Sequence, residues 1–240
     1  MRDAPGGRPP DAPAVVGCHA VAFSGFGEHA VDFFDGLEAD NSKPYWEDNK
    51  PVYEADVRAP MEALLAALEK EFAGEAGSAK VFRPYRDVRF ARDKTPYKTG
   101  CGGVIEQGRG AGAYYVEVSS KGLRAGGGCF HLEPDQLARF RVAAADEIRG
   151  ERLGAILATL TKRGWEIRGD RLKSRPRDYP ADHPRIDLLR YRSLYVVRVW
   201  EPDDVLHERA CLDRVRKAFR ELRPLNEWAA DHVGVTEPRK

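Results

Sequence analysis

Residues Lys80–Thr99, here called the basic segment, read KVFRPYRDVRFARDKTPYKT, and the rest of the chain is organised around them. The segment holds seven lysines and arginines against two aspartates, whereas the whole chain of 240 residues has a formal net charge of +1. Its apolar side chains Phe82, Val88 and Phe90 share one parity. The opposite parity carries Arg83, Tyr85, Asp87 and Arg89. This alternation predicts a half-buried strand interrupted near Pro84, with a loop leaving it at DKTPYKT.

The composition is typical of a folded globular protein, since 42% of the residues are hydrophobic and 32% are charged. No apolar run approaches the roughly 20 residues of a membrane helix, and the first residues lack the apolar core of a secretory signal. We therefore expect a cytoplasmic protein without a membrane partner. The four cysteines are far apart, which favours reduced thiols over a disulfide framework or a zinc site. They are Cys18, Cys101, Cys129 and Cys211.

Changes in composition divide the chain into three parts. Residues 1–20 are rich in proline and glycine and are predicted to be a disordered tail. Residues 21–233 are predicted to form a single domain, and residues 234–240 a C-terminal tail. Within the domain, helical spacing of apolar residues precedes the basic segment, strands follow it, and helices return near Pro134. This order predicts an α+β fold with a mainly antiparallel central sheet flanked by helices.

The elements can be placed approximately by periodicity. The predicted helices begin near Phe23, Tyr45, Pro60, Pro134 and Pro202, with a kink or late start at Pro51 and a short last helix around Trp228. Ile148 is predicted to face inward. Predicted strands cover residues 114–119, 123–130 and 195–200, with a short hairpin at 165–172 that turns at Gly169 and Asp170.

The glycine-rich stretch Gly100–Gly112 contains the G-x-G-x-x-A spacing of a dinucleotide fingerprint at Gly108, Gly110 and Ala113. Such a fingerprint must open a helix, whereas this one leads into a predicted strand. We therefore interpret the stretch as a flexible loop. No histidines or cysteines have metal-ligand spacing, and no G-x-S-x-G nucleophile motif occurs. We expect no metal and no cofactor.

The basic segment is the strongest candidate site, because guanidinium groups bind phosphates and carboxylates bidentately. The predicted ligand-binding residues are Arg83, Tyr85, Arg86, Asp87, Arg89, Asp93, Lys94, Tyr97 and Lys98. The predicted turn at Gly126, Gly127 and Gly128 would let a ligand approach backbone amides. The same charges also fit an internal ion-pair network beneath a helix, and the sequence leaves both interpretations open.

Three functions are compatible with these residues. The leading hypothesis is binding of an anionic small molecule or a phosphorylated ligand in a cationic, aromatic-lined cleft. The alternative is an enzyme in which Asp87 or His183 acts as acid or base beside Arg and Lys oxyanion stabilisers. A second alternative is a module that binds single-stranded nucleic acid or a protein, although the near-zero net charge disfavours nucleic acid. The sequence does not predict an oligomeric state.

An ordered set of motifs from about Phe23 to Val233 resembles the uncharacterised bacterial and fungal domain of unknown function family 2461. The hallmark FR-x-YRD-x-RF-x-x-DK-x-PYKT of that family is similar to Phe82–Thr99. Its early pattern is matched by Phe33, Phe34, Leu37, Asn41, Trp46, Asn49 and Tyr53. Later motifs are matched by Gly126–Gly128, Pro134, Leu137, Arg141, Leu172, Pro176, His183, Pro184, Leu188, Leu189 and Arg190. Glu47 departs from the phenylalanine of that family, and the resemblance itself implies no activity.

Overall fold

The computed structural model describes residues 22–74, 76–108 and 110–237. These residues form one six-stranded antiparallel sheet with helices, which confirms the predicted α+β class. The predicted N-terminal tail and residues 238–240 lie outside the described residues.

The first third of the domain is helical, as predicted. Helix α1 spans Ala30–Ala39, and a second helical rod runs without a break through α2 (Lys43–Val52), a π-helical segment (Tyr53–Arg58) and α3 (Ala59–Phe72). The Ser42 hydroxyl accepts a hydrogen bond from the Tyr45 N–H at 3.3 Å and caps α2. Pro51 does not end the rod. It lacks an N–H for the helical ladder, and the wider π turns follow directly after α2.

The sheet comprises β1 (Ser78–Val81), β2 (Gly100–Glu106), β3 (Ala113–Ser119), β4 (Gly122–Cys129), β5 (Glu166–Arg168) and β6 (Leu194–Trp200). Its order is β1-β2-β3-β4-β6-β5, and every neighbouring pair is antiparallel. The predicted hairpin at residues 165–172 is wrong, because β5 pairs instead with the distant strand β6.

The prediction of a flexible loop at residues 100–112 is wrong for its first half, which is β2. Glycine weakens a strand when nothing else stabilises it. Here the missing side chain lets a helix pack closely on the strand. A Cβ on Gly103 would lie 2.6 Å from Cδ1 of Leu65 on α3. Close packing of the helix on the sheet therefore explains this glycine.

The strand predicted along the basic segment is also wrong. Strand β1 ends at Val81, and residues 83–98 form a loop, here called the basic loop, whose base is closed by a β-bridge between Tyr85 and Tyr97. Phe90, predicted to anchor the sheet, is 97% exposed. Proline cannot donate to a strand ladder, and Pro84 follows β1 after only two residues.

The C-terminal half adds α4 (Pro134–Ala145), α5 (Glu147–Lys162), α6 (Ile186–Leu189), a 3-10 turn (Asp204–His207) and α7 (Ala210–His232). Two expectations fail here. Ile148 is 80% exposed rather than inward. The helix predicted there is interrupted between α4 and α5, so the apolar stripe of α4 does not continue in phase into α5. The helix predicted separately around Trp228 is part of α7, which continues through Pro224.

The helices pack on one face of the sheet. On that face a Cβ at Gly127 would lie 3.0 Å from Leu222 of α7, and Tyr114 packs against Phe72 and Phe219 with ring centres 5.0 Å away. The opposite face, here called the outer face, carries the half-buried side chains of Tyr115, Glu117, Arg124 and Val197. None of the described helices is long and apolar enough to cross a membrane.

Candidate functional site

The basic loop is held against the N-terminal helices by a polar clamp and an aromatic stack. The Asn41 amide donates to the Tyr97 carbonyl at 3.1 Å, and its oxygen accepts from the Tyr97 N–H at 3.0 Å. The Tyr97 ring stacks on Trp46 at 4.4 Å with an interplanar angle of 9°. At the base of the loop, the backbone N–H of Arg86 donates to the Pro96 carbonyl, and the backbone N–H of Lys98 donates to the Pro84 carbonyl, both at 2.8 Å. Tyr97 is therefore a buried anchor that fixes where the neighbouring Lys98 lies.

Most charges of the basic segment are satisfied within the segment or by β2. The Arg86 guanidinium lies 2.5 Å from Asp93 and also donates to the Thr95 hydroxyl. The Arg89 guanidinium makes two hydrogen bonds to Asp87, at 2.7 and 3.0 Å, near the exposed Phe90. The remaining interactions are a Lys80 pair with Glu106 at 3.7 Å and a Lys94 hydrogen bond to the Val88 carbonyl at 2.9 Å. These pairs are mostly solvent-exposed, which does not fit the alternative of an internal ion-pair network beneath a helix.

A cleft of about 770 Å³ opens between the basic loop and the outer face. Four cationic side chains line this cationic cleft: Arg86, Lys98, Lys121 and Arg124. Three acidic side chains also line it: Glu38, Asp93 and Glu117. Phe82, Tyr97 and Tyr115 supply its aromatic wall. The cleft is thus built from the residue that follows β1, the outer faces of β2, β3 and β4, the returning half of the basic loop, and the end of α1 with the adjacent Asn41.

Lys98 has the most unusual surroundings of these cations. Its ammonium group lies 5.3 Å from the centre of the Phe82 ring, a cation–π distance. No carboxylate of the described residues lies within 4.0 Å of it. Burial lowers the pKa of Lys98, and the nearby charge of Arg83 lowers that pKa further. A partly buried positive charge without a counter-ion is favourable to an incoming anion.

A hydrogen-bonded triad crosses the floor of the cleft on β3 and β4. The Tyr115 hydroxyl donates to one oxygen of Glu117 at 2.5 Å, and Arg124 lies 3.1 Å from the other oxygen. Burial raises the pKa of Tyr115, as does the Glu117 charge, so the phenol remains protonated and acts as a donor. The triad fixes the direction of the Arg124 guanidinium, whose side chain is 42% exposed.

Two glycines of β2 make room for the triad. A Cβ at Gly102 would lie 2.6 Å from the Tyr115 hydroxyl, and one at Gly100 would lie 3.1 Å from the Glu117 carboxyl carbon. Gly102 is paired with Glu117 and Gly100 with Ser119, so the absent side chains leave space for Tyr115 and Glu117 at the diagonal positions across the ladder. The glycines of β2 thus give space on both faces of the sheet, to α3 on one face and to the triad on the other.

The structure brings four of the predicted ligand-binding residues to the cleft: Arg86, Asp93, Tyr97 and Lys98. Arg83, Tyr85, Asp87, Arg89 and Lys94 do not line it. Tyr85 packs instead beside Tyr97 and Trp46, with ring centres 5.6 and 6.1 Å away. Asp93 reaches the cleft as the partner of the Arg86 guanidinium.

The predicted glycine turn does not exist, because Gly126, Gly127 and Gly128 lie inside β4, which is paired with β3 and β6 on its two sides. Gly126 lies on the outer face beside Val197 and Phe130, and Gly127 faces the helices. Their amides belong to a central strand, and so the expectation of free backbone donors here is wrong.

The two candidate catalytic residues lie apart from the cleft. Asp87 pairs with Arg89 outside the cleft lining, and the hydrogen bonds from Arg89 lower the pKa of Asp87. His183 belongs to the connection between β5 and β6, where its Nδ1 accepts from the Arg185 N–H at 3.1 Å and its ring packs 6.0 Å from Tyr179. These contacts indicate that His183 stabilises the conformation of this connection.

Sequence reasoning missed Tyr115, Glu117, Lys121 and Arg124. A signal for two of them was present, since Tyr115 and Glu117 alternate with the buried Tyr114, Val116 and Val118 along the predicted strand. Their pairing with the basic segment depends on the order of the strands, which periodicity does not reveal. Among the described residues, no group of three or more histidine, cysteine or acidic side chains is arranged to hold a metal ion.

A comparison with protein-family models matches residues 29–228 to the family described as "Conserved hypothetical protein (DUF2461)". The chain belongs to this family. The resemblance inferred from the ordered motifs is thereby confirmed. No curated protein matches the chain. For this DUF2461 member, the structure gives the motif residues Asn41, Trp46 and Tyr97 a shared task, which is to hold the basic loop beside the sheet.

Proposed function

We propose that the cationic cleft binds an anionic small molecule or a phosphorylated ligand. The observation that carries the proposal is the partly buried ammonium of Lys98, which has no carboxylate within 4.0 Å among the described residues and lies in a concave cleft of about 770 Å³. Clefts of this size are typical of small-molecule sites.

The neighbouring guanidinium groups support an oxyanion ligand. Arg86 and Arg124 line the same cleft, and each is oriented by a carboxylate, Asp93 and Glu117 respectively. A guanidinium held in place loses less freedom when it makes a bidentate contact with phosphate or carboxylate. Lys121 adds a further exposed cation at the rim. The acids keep the excess of positive charge small, which favours a ligand with one or two negative charges.

The enzymatic alternative based on Asp87 or His183 has no support from the cleft, since neither residue lines it. The proposal includes a cytoplasmic location. Unpaired thiols at Cys101, Cys129 and Cys211 favour a reducing compartment.

Isothermal titration calorimetry and thermal-shift assays with sulfate, inorganic phosphate, pyrophosphate and citrate test the proposal. We expect at least one of these anions to bind and to raise the melting temperature. Lys98→Gln should weaken that binding roughly tenfold, the effect of losing one charge-assisted hydrogen bond. The matched control is Arg92→Gln, which removes one positive charge from an exposed position of the same segment outside the cleft lining.

If none of the four anions binds, or if both variants weaken binding equally, the proposal is wrong. An equal effect would mean that general electrostatic attraction, rather than the cleft, collects the anion. Circular dichroism of both variants checks that the fold is retained.

A further inference from the structure

Four aromatic side chains form a continuous row across the outer face. Phe82 follows β1, Tyr115 lies on β3, Phe130 follows β4 and Tyr195 lies on β6. Successive ring centres are 6.3, 5.8 and 4.7 Å apart, and all four residues are only partly buried. Aromatic rings on a sheet face are normally covered by a second layer, because each ring has a large apolar area to bury. Here the four rings remain partly exposed, and Gln136 at the start of α4 lines the cavity beside them.

The row forms one side of a second cavity, here called the apolar cavity, of about 680 Å³. Its wall includes Val104, Val197 and Val235 together with Phe130 and Tyr195. Gly126 lies beside two of these wall residues, since a Cβ there would lie 3.2 Å from Val197 and 3.6 Å from Phe130. The charged side chains of Glu106 and Arg124 and the imidazole of His131 also line the cavity.

The apolar cavity and the cationic cleft are neighbours that share three wall residues: Phe82, Tyr115 and Arg124. A molecule that reached from one to the other would pass along the aromatic row. Its charged end would meet Lys98, while its other end would lie against valine and aromatic side chains. Flat aromatic rings suit such a surface, since they stack or pack edge-on against Phe and Tyr.

We propose that the ligand of the cationic cleft carries a planar aromatic body that occupies the apolar cavity. This inference rests on the proposed anion-binding function and specifies its ligand class as a phosphorylated or carboxylated aromatic compound. The anionic group binds at Lys98, Arg86 and Arg124, and the ring system lies along Tyr115 and Phe130 towards Tyr195. The apolar part supplies most of the affinity, and the anionic group fixes the orientation.

The test compares 2-naphthyl phosphate with inorganic phosphate by calorimetry, using 2-naphthoate and 2-naphthol as further probes. We expect 2-naphthyl phosphate to bind at least tenfold more tightly than inorganic phosphate. Val197→Asn should reduce the affinity for 2-naphthyl phosphate roughly tenfold without affecting that for phosphate. Val199→Asn is the control. It lies on the same strand and face, is 51% exposed and does not line the cavity. Lys98→Gln should weaken both phosphates.

The outcomes separate the two proposals. If both phosphates bind equally and only Lys98→Gln weakens them, anion binding stands and the aromatic inference is overturned. Binding of 2-naphthol without binding of any anionic probe overturns both. Tighter binding of 2-naphthoate than of 2-naphthyl phosphate supports the inference with a carboxylate as the anionic group. If the oligonucleotide dT12 binds more tightly than 2-naphthyl phosphate, a nucleic-acid surface replaces the small-molecule site.

Discussion

Lys98 differs from Lys80, Arg86 and Arg89, each of which has a carboxylate partner. Burial and Arg83 lower the pKa of Lys98, whereas a bound anion would favour its charged form. Anion affinity should therefore be constant while Lys98 is protonated in the free protein and fall as the pH rises through its pKa. Calorimetry with sulfate, whose charge does not change in this range, measures the effect. Affinity that stays constant up to pH 10.5, the ordinary lysine value, would contradict this role.

Asp93 is a second residue with a measurable titration. The Thr95 N–H, the Arg86 guanidinium and the Thr95 hydroxyl lower the pKa of Asp93 from 3.8 to about 2. A lowered carboxyl pKa stabilises the folded loop above pH 3.8, and this stabilisation is lost as the pH falls towards 2. Carbon-13 NMR titration of the carboxyl groups should give a pKa of about 2 for Asp93. In the Thr95→Val variant the pKa of Asp93 should rise, because the hydroxyl donor is lost. It should remain below 3.8, because the backbone N–H at position 95 still donates to Asp93. An unshifted Asp93 would mean that the loop is open in solution.

The three described thiols should be chemically inert in the native protein. Burial raises the pKa of Cys101 to about 11 and those of Cys129 and Cys211 to about 12. Only the thiolate attacks a disulfide reagent, so at pH 8 the reactive fraction is about one in a thousand or less. In a Cys18→Ser variant, Ellman's reagent should react slowly with the native protein and rapidly with all three thiols in guanidinium chloride. Fast native reaction of any one thiol would show that its site opens readily.

Helix α5 contains two glycines with opposite roles. A Cβ at Gly154 would have no atom within 4 Å, whereas one at Gly150 would lie 2.3 Å from the Ala144 carbonyl oxygen and 2.6 Å from the Arg185 Nε. Arg185 crosses there to donate to the carbonyls of Ala144 and Ala145 at 3.0 and 2.6 Å. Gly150 therefore gives the guanidinium access to the end of α4.

Gly154→Ala should stabilise the protein by about 0.5–1 kcal/mol, because alanine loses less backbone entropy than glycine when a helix forms. Gly150→Ala should destabilise it by about 1–3 kcal/mol through overpacking. Urea unfolding followed by circular dichroism measures both changes, and each variant serves as the control for the other. Equal effects at the two positions would contradict the close approach of Arg185.

Local patterns predicted the helices and the alternating strands β3, β4 and β6 closely, but they did not predict β2. The apolar stripes of α1 and α3 are regular, so the spacing of Phe33 and Leu37 or of Leu64 and Leu68 identified buried faces directly. Strand β2 has three glycines among its seven residues and becomes a strand only because β1 and β3 pair with it. The basic loop is the opposite case, because its sequence alternates like a strand but does not pair as one beyond the bridge between Tyr85 and Tyr97. Its base is instead held by Asn41, which is 56 residues away from Tyr97 in the sequence.

The cationic cleft combines segments that are distant in sequence, which explains why only part of it was predicted. Arg86 and Lys98 come from the basic segment, but Tyr115, Glu117 and Arg124 come from β3 and β4. Strand order places these side chains beside the loop. A positive charge excess in the sequence indicated the kind of ligand, and three of the seven cations of the basic segment pair with Asp87, Asp93 and Glu106 once the chain folds.

One apolar core joins all layers of the protein. Trp46 from the first helical rod, Tyr114 from the sheet, and Trp165 and Trp228 from the C-terminal half belong to the same buried cluster. We therefore expect a single cooperative unfolding transition in urea. Near-ultraviolet and far-ultraviolet circular dichroism should give coincident midpoints, as should fluorescence of variants that retain only Trp46 or only Trp228. Separate midpoints would show that the two halves fold independently and would contradict the single predicted domain.

The sheet ends in short edge strands on both sides. Strand β1 has four residues and includes Lys80, and β5 has three residues, two of them the charged pair Glu166 and Arg168. Unpaired strand edges are templates for intermolecular pairing, and brief, charged edges are a common defence against it. This protein can therefore leave one broad aromatic face open to solvent with little risk of growing into fibrils, because its borders offer an incoming strand few hydrogen bonds.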